Sequence, residues 1–182
     1  MLFRSYSLAE LGERVAAAVP DGSTLVGWSL GAQVAMRCAA DHPGRIRRLV
    51  LVGATPCFVQ REDWPHAVTA EVFGQFRDAL ACDPDALRQR FLGLQATGEA
   101  DSRACLRRLR SLAAKGPSPH PEALRQGLRL LQDIDLRDLV PTLTQPVLVL
   151  HGQADALVPP AAARWLVRRL PAARGVFLDN AG

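Results

Sequence analysis

The sequence has no apolar run long enough to cross a bilayer, which takes about 18 residues. We therefore exclude a protein anchored by membrane-spanning helices. The first six residues carry no apolar segment and no small-residue cleavage site, so they predict no secretory signal. The expected location is the cytoplasm.

Cysteine is scarce, and its spacing is wrong for a metal site. The chain has no C-x-x-C pair and no histidines at a matching spacing. This pattern argues against a zinc site and gives no sign of an oxidising compartment. We expect neither a metal nor an organic cofactor. We interpret the four cysteines as ordinary cytosolic thiols: Cys38, Cys57, Cys82 and Cys105.

Lysine is nearly absent. Lys115 is the only lysine in 182 residues, so the net charge of +4 comes almost entirely from arginine. An excess of this size does not define a partner by itself, although its placement along the chain can favour an acidic one. Hydrophobic residues make up 48% and charged residues 22% of the chain, which is close to the globular average and excludes disordered and fibrous classes.

Strand and helix signals alternate at both ends of the chain. Short, nearly continuous apolar runs rich in β-branched residues predict strands that are buried on both faces. A strand, a helix and a second strand at this spacing form a βαβ unit with a parallel sheet. We predict about four parallel strands, at residues 23–27, 49–53, 147–152 and 176–178, and flanking helices at residues 7–19, 30–40 and 159–170.

The middle of the chain differs, because residues 57–139 show no strand signal and are rich in arginine. We predict that this stretch is helical, with Asp83 as a helix cap and Pro84 at the first helical position. An insertion of about eighty residues is too long for an ordinary loop. The predicted division is a core segment at 1–56, a helical lid at 57–139 and a second core segment at 140–182.

The five residues from Gly27 to Gly31 match the motif G-x-S-x-G between a predicted strand and a predicted helix. This context is typical of a nucleophile elbow, a tight turn that strains the backbone of its central serine. That residue is Ser29, whose hydroxyl would stand above the sheet while the N–H of Leu30 points at a developing oxyanion. A glycine on either side would avoid a clash between neighbouring segments. The alternative is an ordinary serine in the strand-to-helix turn of another doubly wound protein.

A serine nucleophile needs a base, and in this architecture it is followed along the chain by an acid and then a histidine. Asp155 comes directly after the third predicted strand and is the predicted acid; the alternative is a loop aspartate that caps the next helix. The histidine is expected at residues 179–182, where the sequence has none. We interpret the four histidines that are present as ordinary surface or core residues: His42, His66, His120 and His151.

With these residues the chain resembles the α/β-hydrolases and, among them, the pimeloyl-acyl-carrier-protein methyl ester carboxylesterases of biotin synthesis. The resemblance runs from about Ser7 to Gly182. The implied fold is the α/β-hydrolase fold, a partial parallel sheet with flanking helices and an all-helical lid. Besides the elbow, which the whole superfamily shares, it rests on residues 152–159 and on two narrower stretches: Thr55-Pro56-Cys57-Phe58 followed by Arg61-Glu62-Asp63-Trp64-Pro65, and Arg90-Phe91-Leu92-Gly93-Leu94-Gln95.

The resemblance implies a carboxylesterase that hydrolyses the methyl ester of pimeloyl-acyl-carrier protein by a Ser-His-Asp mechanism, without a cofactor. We expect a monomer with no nucleic-acid or membrane partner. The implied catalytic residues are Ser29 and Asp155. Substrate contacts would come from Ser29, Leu30, Phe91, Leu92, Gly93, Leu94 and Gln95. The acidic carrier protein would bind Arg90, Arg103 and Arg107, while a fourth basic position of the family falls on Ala86, with Arg88 close by.

The resemblance also implies sequence on both sides of this chain. The family has earlier strands and an HGWG-like loop, which supplies the second oxyanion N–H and an aromatic substrate contact. It also has the catalytic histidine and a final helix after the position of Gly182. We expect a histidine codon within a few codons of the last one. We expect the 182 residues alone to be nearly inactive as an esterase, because loss of one triad member lowers the catalytic rate by several orders of magnitude.

Two other functions stay open at this point. The elbow motif carries no information about substrate specificity, so another α/β-hydrolase acting on small esters or C–C bonds is one alternative. The second is a catalytically inactive fragment that only binds an acidic partner. Arg103, Arg107 and Arg110 share one helical face, which by itself indicates a solvated surface. Nucleic acid is a weaker partner, because no aromatic residues accompany these arginines.

Overall fold

The computed structural model describes residues 6–116 and 119–182, so residues 1–5, on which the expectation about a secretory signal partly rests, lie outside it. Strands and helices alternate at both ends of the chain, as predicted, with bounds that differ by a few residues. In chain order the elements are α1 (Leu8–Ala18), β1 (Ser23–Trp28), α2 (Leu30–Asp41), β2 (Ile46–Val52), α3 (Ala70–Cys82), α4 (Pro84–Gln95), α5 (Ser102–Lys115), α6 (Pro121–Asp133), a 3-10 turn (Val140–Thr142), β3 (Val147–Gly152), α7 (Pro160–Arg169) and β4 (Ala173–Leu178).

The four strands form one parallel sheet in the order β1-β2-β3-β4, which confirms the predicted sheet. Residues that are aligned in a parallel sheet point to the same face. One such row joins Leu25, Leu49 and Val147, all of which are buried. It packs against α2 and α7 in the main hydrophobic core. The register therefore aligns the carboxyl ends of the strands at one edge of the sheet.

The opposite face of the sheet is also apolar, but the helices that pack on the strands, α2 and α7, do not lie on it. Its row runs through Trp28, Val52, Leu150 and Val176. Val26 on the same face is 71% exposed and Trp28 is 58% exposed. The prediction that the strands are buried on both faces is therefore wrong for the described residues, because their sheet-packing helices share a single face.

The segment at residues 57–139, called the insertion below, is less helical than predicted. Helices begin only at Ala70, while the first thirteen residues form turns and isolated β-bridges, including one between Cys57 and Asp135. The predicted cap is confirmed, since the Asp83 side chain accepts the N–H of Ala86 and Pro84 opens α4. The division of the chain into segments at residues 56 and 139 stays a prediction.

One arginine ties the two ends of the insertion together. The guanidinium of Arg137 lies 2.8 Å from an Asp63 oxygen and 2.7 Å from an Asp135 oxygen, and it covers the ring of Trp64. Trp64 is only 2% exposed and donates its ring N–H to the carbonyl of Cys57 at 2.9 Å. The narrow Pro-Cys-Phe and Asp-Trp-Pro stretches thus build the structural junction where the insertion leaves the sheet.

Replacing Asp135 with asparagine tests this junction through its pH dependence. Burial acts to raise the pKa of Asp135, but hydrogen bonds from Arg137 and the charges of Arg137 and Arg61 outweigh it and hold the pKa below its usual value. A lowered folded-state pKa contributes stability above the unfolded value of about 3.9, and this is lost as pH falls through the folded value. We expect Asp135→Asn to lower the free energy of unfolding by roughly 1–2 kcal/mol at pH 7.

Urea unfolding at pH 7 and at pH values below about 4 measures this difference, which should shrink in acid. Asp78→Asn is the control, because Asp78 is exposed and its one ion pair in the described part of the chain is with its neighbour Arg77. A difference that stays constant into acid would contradict the assignment.

Candidate active site

The backbone of Ser29 is strained, as predicted. Its φ of 53° and ψ of −120° lie where side-chain-bearing residues are rare. The turn that carries it joins β1 directly to α2. The Ser29 N–H donates to the carbonyl of Val52 at 3.0 Å, which fixes the turn to the carboxyl end of β2.

Only one of the two motif glycines is required by close packing. A Cβ on Gly27 would lie 2.5 Å from the carbonyl oxygen of Gly31 and 2.6 Å from the Cα of Ala32. A Cβ on Gly31 would meet nothing within 4 Å, apart from its chain neighbours and its own helix backbone, among the residues described. The expectation that both glycines avoid a clash is confirmed for Gly27 and wrong for Gly31, because α2 approaches β1 on one side only.

At the elbow, the Ser29 hydroxyl makes no helix-capping hydrogen bond and the Leu30 N–H makes no intrahelical one. Ser29 occupies the cap position of α2, yet its side chain makes no capping hydrogen bond. Leu30 is the first residue of that helix, so its N–H has no intrahelical acceptor. The positive end of the helix dipole favours negative charge at the same place. The arrangement can present a nucleophilic hydroxyl beside a donor for an oxyanion.

Ser29 and Leu30 line an apolar cavity of about 260 Å³. Phe91, from the predicted substrate-contacting run, lines it as well, whereas Leu92, Gly93, Leu94 and Gln95 are not among its lining residues. A larger polar cleft of about 500 Å³ lies at the junction around Arg137 and contains no predicted site residue. We take the smaller cavity as the candidate site, because it alone of the two holds the elbow.

Most of the residues that line the cavity were not predicted from the sequence. Helices α3 and α6 each present a row of apolar side chains to the cavity. The helical spacing of these apolar residues in the sequence is the signal that could have identified them. They are Phe73, Phe76 and Leu80 on α3, and Leu124, Leu128 and Leu131 on α6.

Asp155 is held by its own turn. Its Oδ1 accepts the N–H groups of Leu157 and Val158, each at 2.9 Å. The alternative that it caps the next helix is wrong, because Pro159 occupies the cap position of α7 and no side chain bonds there. Leu157 lines the Ser29 cavity, so the acid loop reaches the candidate site.

Ser29 and Asp155 both lie near the carboxyl end of β2. Gly53 follows that strand with a φ of 52°, and a Cβ on it would lie 3.7 Å from Asp155 Oδ2 and 3.3 Å from Trp28 Nε1. Ser29 is bonded to Val52, the preceding residue. The carboxyl edge of a parallel sheet is the usual position of active sites in such folds.

None of the four histidines lines the cavity with Ser29. Each has a contact elsewhere in the described structure. His42 Nε2 lies 3.0 Å from Glu13, His66 packs edge-on against Trp64, His120 accepts the N–H of Glu122, and His151 Nε2 bonds the Val158 carbonyl and lies 3.6 Å from Asp155 Oδ2.

The last residues of the chain lie against the acid loop. The N–H of Ala154 donates to the carbonyl of Ala181 at 2.9 Å. Gly98, with a φ of 91°, packs its α-carbon against Ala154, and the side chain of Glu99 accepts the N–H of Gly182. The position where a histidine was expected from the sequence is therefore beside the predicted acid.

The predicted carrier-binding arginines are exposed on α4 and α5. Arg90 lies over the ring of Phe76, with 5.3 Å from its Cζ to the ring centre. α5 carries five cationic residues and no acidic one. Within the described part of the chain, neither Arg103 nor Arg107 forms an ion pair. These charges are therefore available to an outside partner.

Residues 6–116 and 119–182 contain neither a metal-binding cluster nor a candidate membrane-spanning helix. No group of three or more His, Cys, Asp or Glu side chains is arranged to hold a metal ion. No helix there has the length and apolarity needed to cross a membrane.

A family model described as alpha/beta hydrolase fold matches residues 2–182. The chain therefore belongs to the α/β-hydrolase fold family. Curated relatives carry the name pimeloyl-[acyl-carrier protein] methyl ester esterase. The relative from Nitrosomonas europaea is 41% identical over 176 residues, 97% of this chain and 70% of the relative. The relative from Aeromonas hydrophila is 42% identical over 176 residues, 97% of this chain and 69% of the relative. The resemblance drawn from the sequence is thus confirmed.

Solved structures share the fold at lower identity. An esterase from Exiguobacterium antarcticum gives a TM-score of 0.87 at 20% identity, covering 97% of this chain and 67% of that protein. An enol-lactonase from Burkholderia xenovorans LB400 gives a TM-score of 0.78 at 20% identity, covering 96% of this chain and 65% of that protein. These similarities confirm the predicted fold class.

The two motif glycines offer a matched pair of variants. Gly27→Ala should lower the free energy of unfolding by about 1–3 kcal/mol, because its Cβ would overlap the backbone of α2. Gly31→Ala should be neutral or stabilising by up to about 1 kcal/mol, since alanine favours a helix. Urea unfolding of both variants measures the difference. Equal effects would mean that α2 does not approach β1 as closely as described.

Proposed function

We propose that this chain forms part of a serine carboxylesterase that hydrolyses the methyl ester of a pimeloyl group attached to an acyl carrier protein. The observation that carries the proposal is the strained elbow of Ser29, which opens into an apolar cavity. The choice of substrate rests on the names of the curated relatives.

In the proposed mechanism, the Ser29 hydroxyl attacks the carbonyl carbon of the methyl ester while a histidine accepts its proton. The N–H of Leu30 donates to the resulting oxyanion. The histidine then protonates the leaving methoxide, and methanol departs. Water attacks the acyl-enzyme in the same way, which releases the free carboxylic acid and restores the serine.

Asp155 is proposed to orient that histidine. Its Oδ1 is held by two backbone N–H groups, which fixes the carboxylate in position. The family resemblance implies a histidine after Gly182. Because Ala181 is hydrogen-bonded to Ala154, a residue that follows Gly182 in a longer chain would begin beside this carboxylate.

The cavity suits the acyl chain. Its wall is made mostly of phenylalanine and leucine side chains from α3, α4 and α6. Burying methylene groups there is favourable by about 0.8 kcal/mol each, so an aliphatic chain gains more than a short acetyl group. This favours a medium-length acyl ester over the alternative of a generic small ester.

The carrier protein is proposed to bind outside the cavity, on α4 and α5. Arg90, Arg103 and Arg107 are exposed there, and an acidic partner would supply the charges that the described residues do not. Such contacts steer association and weaken as salt screens them.

The nucleophile is tested in a hybrid that joins residues 1–182 to the flanking segments of the Nitrosomonas europaea esterase. The hybrid should hydrolyse the carrier-linked methyl ester, and Ser29→Ala should reduce its turnover by about three orders of magnitude or more. The 182 residues alone should be nearly inactive, because none of their histidines reaches the cavity. A hybrid that keeps its activity after Ser29→Ala would refute the mechanism.

The carrier surface is tested in the same hybrid by changing Arg90, Arg103 and Arg107 to alanine. We expect a higher KM for the carrier-linked ester, a loss that shrinks at high ionic strength, and unchanged hydrolysis of p-nitrophenyl acetate. The control removes three other exposed arginines of the core segments: Arg14, Arg47 and Arg168.

Equal loss on both substrates would show that the three arginines are structural. No loss on either would favour a free small ester as the substrate. An inactive hybrid that still binds the carrier protein would favour the alternative of a binding module.

A further inference from the structure

Among the described residues, Arg88 is the only charged one whose side chain lines the Ser29 cavity. It lies on α4, where Pro84, Leu87 and Phe91 line the same wall. Residues at these spacings share one face of a helix. The face that α4 turns to the cavity is therefore apolar except for one guanidinium.

The Nε of Arg88 is buried and has no hydrogen-bond partner among the described residues. The ion pair with Asp85 does not supply one, because it joins Nη2 to a carboxylate oxygen at 3.6 Å. Asp85 is itself 89% exposed, on the solvent side. A buried N–H donor without an acceptor is unfavourable, so a ligand oxygen at this position would be bound in preference to an apolar group.

Arg88 thus differs from the other arginines of the insertion. The guanidinium of Arg137 is occupied by two carboxylates, and Arg90 lies outside the cavity over Phe76. The sequence placed Arg88 near a carrier-binding position, but the structure directs its Nε away from solvent. Its position fits contact with the acyl chain better than contact with the surface of a carrier protein.

Resting on the proposed function, we propose that Arg88 anchors the far end of the acyl group by donating Nε–H to a carboxyl-derived oxygen. The cavity would then select esters of dicarboxylic acyl groups: the ester carbonyl lies at Ser29, the methylenes lie along the apolar wall, and the second carbonyl lies at Arg88. In a carrier-linked substrate that oxygen belongs to the thioester. In a free half-ester it belongs to a carboxylate.

The test measures binding to the 182-residue chain, without a need for turnover. The probes are three methyl esters of equal carbon number in the acyl chain: the monomethyl ester of heptanedioic acid, its dimethyl ester, and methyl heptanoate. NMR titration gives the dissociation constants and follows the Nε–Hε signal of Arg88. We expect that signal to move and the diacid esters to bind at least about five-fold more tightly than methyl heptanoate.

Variants assign the preference to one group. Arg88→Met should abolish it, while Arg77→Met, an exposed arginine of α3, should leave it unchanged. Arg88→Lys keeps the charge but lacks Nε, so it should retain part of the preference for the monomethyl ester and lose that for the dimethyl ester. The amide spectra of the variants establish that each is folded.

A preference for both diacid esters supports the proposal with a neutral carbonyl as the acceptor. A preference for the monomethyl ester alone, reduced by about 0.5 M salt, supports it with a carboxylate. Methyl heptanoate binding as tightly as the diacid esters, or a preference that survives Arg88→Met, would overturn it. If the hybrid fails to hydrolyse the carrier-linked ester while the binding preference remains, the proposed function fails and the assignment of Arg88 stands.

Discussion

The close approach of α2 to β1 is the constraint on which the rest of the site depends. Because Gly27 has no side chain, the backbone of Gly31 and Ala32 lies where a Cβ would be. The helix can therefore begin directly after the strand, and the single residue between them, Ser29, takes a positive φ. At a looser junction the serine could relax and cap the helix, as serines commonly do, and its hydroxyl would be engaged.

The proposed reactive groups and the wall of the cavity come from different parts of the chain. The sheet edge supplies Ser29 and the acid loop, whereas the aromatic and aliphatic wall comes from helices of the insertion. Those helices pack mainly on one another, α3 against both α4 and α6. The volume of the cavity is therefore set by helix packing inside the insertion, and the reactive edge is set by strand register.

Features with local signals were predictable from the sequence. The cap at Asp83 and the elbow motif each depend on residues a few positions apart, and the structure contains both. Features made by distant residues were not predictable. Trp64 is buried under Arg137, and Arg88 lines a cavity whose other walls come from residues distant in sequence, on α3 and α6. Sequence periodicity also could not show that α2 and α7 share one face of the sheet.

The Arg137 junction has a consequence for how this architecture can diversify. Asp63 belongs to the first residues of the insertion and Asp135 to its last, and one guanidinium holds both. The points where the insertion leaves and rejoins the sheet are thus joined by three side chains that lie outside helices α3–α6. Because the junction does not use side chains of these helices, we expect changes in helix length or sequence to alter the cavity wall while the sheet edge that carries Ser29 is kept.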